Sequence, residues 1–102
     1  MTIKELREKA ADLIEERGWA KGRYEDATGR LCILGALVVA AVPHALEIGL
    51  EQEVLNDDLV VAEAVEQLRR DLGVQHLDEW NDEKCSSADE VIAALGGQRE
   101  GA

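Results

Sequence analysis

Few side chains here have chemistry to offer: two cysteines, two histidines and three aromatics, in 102 residues without a phenylalanine. Cys32 precedes His44, His76 and Asn81. Thiol, imidazole and amide in that order are the parts of a cysteine hydrolase: nucleophile, base and orienting group. Cys32 is expected in the first turn of a helix and close to Arg30. There the helix dipole and a guanidinium favour thiolate, which makes it the candidate catalytic residue. Its neighbours Leu31, Ile33 and Leu34 argue for the alternative, a small buried side chain. Cys32, His44, His76 and Cys85 would give zinc two sulfurs and two nitrogens. None of them forms the closely spaced pair that such sites use, so no metal and no cofactor is expected.

A second concentration of chemistry lies between Arg17 and Arg30. Four bases, Arg17, Lys21, Arg23 and Arg30, stand there against only Glu25 and Asp26, in a chain of net charge −11. Trp19 and Tyr24 interleave with them, and the segment runs into a predicted helix start. Free backbone amides, guanidinium forks and a stacking ring suit a phosphate or nucleotide-like anion. It is not a P-loop, because no Gly-Lys-Ser/Thr follows. The plainer expectation is a solvated loop in which Trp19 plugs the core and the arginines pair with acids. "WND", Trp80 to Asp82, reads as an anchored Asx turn. It joins the same site if the two loops meet at one end of the second helix. The candidate ligand-binding residues are therefore Trp19, Lys21, Arg23, Tyr24, Arg30, Trp80, Asn81 and Asp82.

These residues need elements to position them. "TIKE" from Thr2 is a capping box, followed by a helical stripe of Ile3, Leu6, Ala10, Leu13 and Ile14, with Gly18 as the stop. The first helix is thus predicted over Ile3–Arg17. Gly18–Arg30 is a glycine-rich loop with room for a short hairpin. A second helix is predicted over about Leu31–Val42. It is apolar on all sides and so is the buried centre of the fold, with a small-residue face on which another helix can lie close. Pro43 ends it or opens the next turn. His44–Leu55 is weakly helical and weakened by Gly49. Asn56 and Asp57 are expected to cap a strong helix over about Asp58–Leu72, closed by Gly73. Val74–Cys85 reads as irregular. "SADE" from Ser87 is a second capping box, starting a short helix with Ala88, Val91, Ile92 and Leu95 inward. The tail 96–102 is expected to fray.

No segment alternates with period two. The expectation is one all-α domain spanning 1–102, with four to five helices and an ordered core over about 2–95. Twenty-two acids against eleven bases argue against direct nucleic-acid binding and against an anionic membrane surface. They leave open an acidic DNA mimic that inhibits a nucleic-acid enzyme. The run Leu31–Val42 falls short of the about 20 residues of a membrane span. The polar start is not a signal peptide, so a cytoplasmic protein with free thiols is expected.

"GRLCILGAL" (Gly29–Leu37), "WND" and "SADEVIAAL" (Ser87–Leu95), in that order, resemble an uncharacterised family of small actinobacterial and phage proteins, domain of unknown function 6197. The resemblance runs from Trp19 onward. It implies a compact helical fold and an actinobacterial or phage setting, and it implies no activity. The class expected is a non-catalytic binding or accessory protein. Its partner is a protein met through the acidic surface or a small anionic ligand held by the Gly18–Arg30 loop.

Overall fold

The computed structural model describes residues 1–96; the expected frayed tail from 97 onward lies outside the described residues. The order is α1 (Ile3–Arg17), α2 (Ile33–Ala41), α3 (Glu51–Asp57), α4 (Leu59–Leu72), α5 (Leu77–Glu79) and α6 (Ala88–Leu95), with a π-helical turn, Trp80–Lys84, directly after α5. Among the described residues the fold is all-helical, with two isolated β-bridges and no strand. The helices number one more than expected because α5 is a three-residue turn.

α1 has the predicted bounds. The Thr2 hydroxyl accepts from the Glu5 amide while the Glu5 carboxylate accepts from the Thr2 amide. Gly18 stops the helix at φ +99°, and a Cβ there would meet the Arg30 side chain at 2.7 Å.

α2 is the centre of the fold. Ile33, Gly35, Ala36, Leu37, Val38, Val39 and Ala40 are all buried, and the helix packs on α1, α3, α4 and α5. It begins two residues later than expected because Leu31 is spent elsewhere. The Leu31 amide donates to the Gly18 carbonyl, and its own carbonyl accepts from Ala20, both at 3.0 Å. Cys32 is then the N-cap. The helix ends at Val42, whose extended backbone is the conformation a following proline demands.

A helix, α1, does pack against α2, but at Gly35 the nearest neighbour differs from the expected one. What lies close against α2 there is loop backbone rather than another helix: a Cβ on Gly35 would sit 2.1 Å from the Tyr24 carbonyl oxygen.

The weakly helical stretch divides into turns through Gly49 and then α3. Asn56 and Asp57 are the last residues of α3, and α4 is capped by Asp58, whose carboxylate accepts from Val60 and Val61 at 3.0 and 3.1 Å. Ser87 makes no capping bond with its side chain; Glu90 instead accepts from the Ser86 amide at 2.5 Å. The core is aliphatic: Leu6, Ile14, Leu31, Ile33, Leu37, Leu68 and Leu95 are each at most 1% exposed. Each contributes about 1.5–3 kcal/mol by burial.

Candidate functional site

The Gly18–Arg30 loop is tightly built. Glu25 and Leu31 form an antiparallel bridge around a turn organised by Asp26. One oxygen of Asp26 accepts from the Thr28 amide, the Thr28 hydroxyl and the Arg30 amide at 2.8–2.9 Å; the other accepts from the Arg30 guanidinium at 2.7 Å. Partial burial pushes the Asp26 carboxyl up, but the bonds from Thr28 and Arg30 together outweigh it and hold the group well below the usual carboxylate range. The short hairpin thus forms, and its turn is an Asx turn spelled "DATGR". Sequence reasoning counted Asp26 only as a charge.

Asn81 ties this loop to the rest. It is fully buried, and every hydrogen-bonding direction of its amide is used within the protein. Its oxygen accepts from the Trp19 indole at 2.8 Å and from the Ile33 amide at 3.1 Å. Its nitrogen donates to the Ala20 carbonyl at 3.0 Å and to Asp82 at 2.9 Å. The same Asp82 oxygen accepts from the Gly22 amide at 2.9 Å. The "WND" turn and the Gly18–Arg30 loop therefore do meet, at the N-terminal end of α2. Asn81 is the knot between them, with no bonding capacity left for a ligand or an imidazole.

The loop's four bases divide into two kinds. Arg17 donates to the Gly29 carbonyl at 2.9 Å and pairs with Glu25. Arg30 pairs with Asp26. Lys21 lies over the Trp19 ring, 5.2 Å from its centroid, and neither Lys21 nor Arg23 has a carboxylate at ion-pair distance among the described residues. Trp19, Lys21, Arg23 and Arg30 line one open concavity of about 460 Å³, with Asp26 and Thr28. Tyr24 and Asp82 open onto a different cavity, shared with Arg23. The Tyr24 hydroxyl accepts from Gln52 at 2.7 Å. Trp80, half-buried against the core, lies beside His76, Glu79 and Lys84 and lines neither. Of the eight candidates, four thus share a surface, two face a neighbouring cavity, Trp80 lines a third, and Asn81 is used up within the fold.

Cys32 is buried, and its sulfur accepts from the Gly35 amide at 3.3 Å. Burial pushes its thiol up despite the hydrogen bonds from Gly35 and Leu34. The dipole effect expected at a helix start is outweighed by desolvation. His44 is exposed and sits past the C-terminal end of α2, the end opposite Cys32. Cys85 is also a buried free thiol, raised by burial to about 11. Among the described residues no three His, Cys, Asp or Glu side chains are grouped to hold a metal ion. No helix of the described residues is long and apolar enough to cross a membrane.

One contact had no sequence signal. Arg7 on α1 donates to the carbonyls of Leu95 and Ala94 at 3.1 and 2.8 Å, to Gln67, and to Asp71 at 3.3 Å. It satisfies the C-terminal end of α6 and joins it to α1 and α4.

A model of a family of unknown function, DUF6197, matches residues 1–97. The match takes in α1, ahead of the residues that carried the sequence resemblance. No curated protein and no solved structure matches the chain.

Proposed function

We propose that this chain, which belongs to that family of unknown function, is a non-catalytic binding protein whose Gly18–Arg30 loop holds a small phosphate-bearing anion. The setting proposed with it is the actinobacterial or phage one that the resemblance implies. The observation that carries the reading is the division of the loop's bases. Glu25 and Asp26 neutralise Arg17 and Arg30, while Lys21, over the Trp19 ring, and Arg23 line the same concavity with no carboxylate at ion-pair distance among the described residues. Two such cations on a concavity that an aromatic ring also lines suit a charged group carried by a flat base. The rigid Asx turn means that little ordering is needed on binding.

Calorimetric titration with inorganic pyrophosphate at low salt tests it. Saturable binding that weakens about tenfold in Arg23→Ala, a loss of roughly 1.4 kcal/mol, supports the reading. Absence of heat, or equal affinity in the variant, overturns it.

A protein partner is the second reading. Ile48 and Leu59 favour it, being 63% and 76% exposed on an otherwise strongly charged chain. That reading predicts a complex that dissociates at high salt if the acidic surface drives it.

A further inference from the structure

The cavity beside the loop has a different character from the concavity. It measures about 270 Å³ and is lined by Gly22, Arg23, Tyr24, Cys32, Leu34, Asp78 and Asp82. Asp78 and Asp82 stand four residues apart, one in α5 and one in the π-helical turn that continues it. Arg23 comes from the Gly18–Arg30 loop. Opposite charges thus line one cavity, yet Arg23 is not within ion-pair distance of either carboxylate.

Each charge is held in its own way. One oxygen of Asp82 is fixed by the Gly22 amide and by Asn81, and these bonds orient the carboxylate. Asp78 is exposed and makes no ion pair among the described residues. Leu34 and Tyr24 add apolar surface to the lining. The volume lies just below the range of drug-sized ligand pockets, which starts at about 300 Å³, so it suits only a small molecule.

We infer that this cavity is a second binding site, for a small zwitterion of the α-amino-acid class. Arg23 takes the carboxylate, and Asp78 with Asp82 takes the ammonium. The side chain of the amino acid lies against Leu34 and Tyr24. A purely anionic ligand would face two carboxylates here, and a purely cationic one would face Arg23. Only a molecule carrying both charges matches both signs of charge in the lining. Burial raises the Tyr24 phenol, and the charges of Cys32, Glu51 and Asp78 add to the rise.

The test is a titration of the full chain with each proteinogenic α-amino acid in turn, followed by amide chemical shifts. The amide derivative and the deaminated acid of the best binder serve as charge-deleted probes. The expected result is saturable shifts at Gly22, Arg23, Leu34 and Asp82. Affinity falls about tenfold for each charge-deleted probe. It falls comparably in Asp78→Asn, a surface change that leaves the fold intact. Three results would overturn the inference: no saturable shift for any amino acid up to about 10 mM, a charge-deleted probe that binds as tightly as its parent, or unchanged affinity in Asp78→Asn. Lys21 does not line this cavity, so loss of pyrophosphate binding in a Lys21 variant leaves this result unaffected.

Discussion

The indole nitrogen of Trp19 donates across 2.8 Å to the buried amide oxygen of Asn81, 62 positions further along the chain. The bond fixes the base of the Gly18–Arg30 loop to the turn after α5. The Asn81 amide also reaches the first residue of α2 through Ile33. The loop's shape, and with it the placing of Lys21 and Arg23, hangs on this side chain.

Asn81→Ala should therefore act as a core mutation despite its polar chemistry. It leaves the Trp19 indole, the Ile33 amide and the Ala20 carbonyl without their partner. A cost of about 3 kcal/mol is expected, since each buried unsatisfied group costs about 1–3 kcal/mol and some will find water. Urea unfolding measures it as a lowered midpoint at an unchanged slope.

Gly35→Ala tests the closeness of loop and helix. In a helix with room, alanine would stabilise by about 1 kcal/mol relative to glycine. Here its Cβ would lie 2.1 Å from the Tyr24 carbonyl oxygen, which is backbone and cannot swing aside. A net loss of about 2 kcal/mol or more is expected, again from the urea midpoint. A gain in stability would show that Tyr24 does not press on α2.

Asp26 gives the fold a pH dependence of definite sign. Its folded-state carboxyl lies below the ordinary value. The unfolded chain therefore binds the proton more readily. The group's stabilising contribution is fully present above its unfolded value near pH 4 and is lost as pH falls toward the depressed folded value. Thermal melts between about pH 2 and pH 6 should show a steeper acid decline for the wild type than for Asp26→Asn. Parallel curves would contradict the assignment.

The thiols should be slow. Burial raises both Cys32 and Cys85, which are only 6% and 4% exposed. Iodoacetamide near pH 7 should label both at the rate of unfolding, with full labelling in denaturant. Rapid labelling of Cys32 in the native state would revive the hydrolase reading.

How much of this was legible in the sequence follows the range of the interactions. α1 carries all its signals within itself, with a capping box at Thr2 and Glu5 and a stop at Gly18, and it forms as read. α4 was read one cap early because Asn56, Asp57 and Asp58 are three adjacent cap-formers, and local chemistry does not rank them. The π-helical turn over Trp80–Lys84 has no apolar period to announce it, so Val74–Cys85 read as irregular. The anion-binding candidates were found because charge and aromatics cluster in sequence, but their division into two surfaces follows from Asn81 and Asp82, which reach back across the chain. Arg7 was invisible for the same reason: its partner Leu95 lies 88 positions away. Gly35 was read as a packing residue, but its neighbour, the Tyr24 carbonyl, could not be named before the loop was in place.

The central claim is that Lys21 and Arg23, which line one concavity with Trp19, form an anion site. Its most direct test is an amide chemical-shift titration with inorganic pyrophosphate on the wild type and on Lys21→Ala/Arg23→Ala. The account predicts saturable shifts confined to the loop from Trp19 to Arg30 in the wild type. It predicts their loss in the double variant, with the remaining resonances unmoved. Shifts that persist in the variant, or that fall elsewhere on the chain, would contradict it.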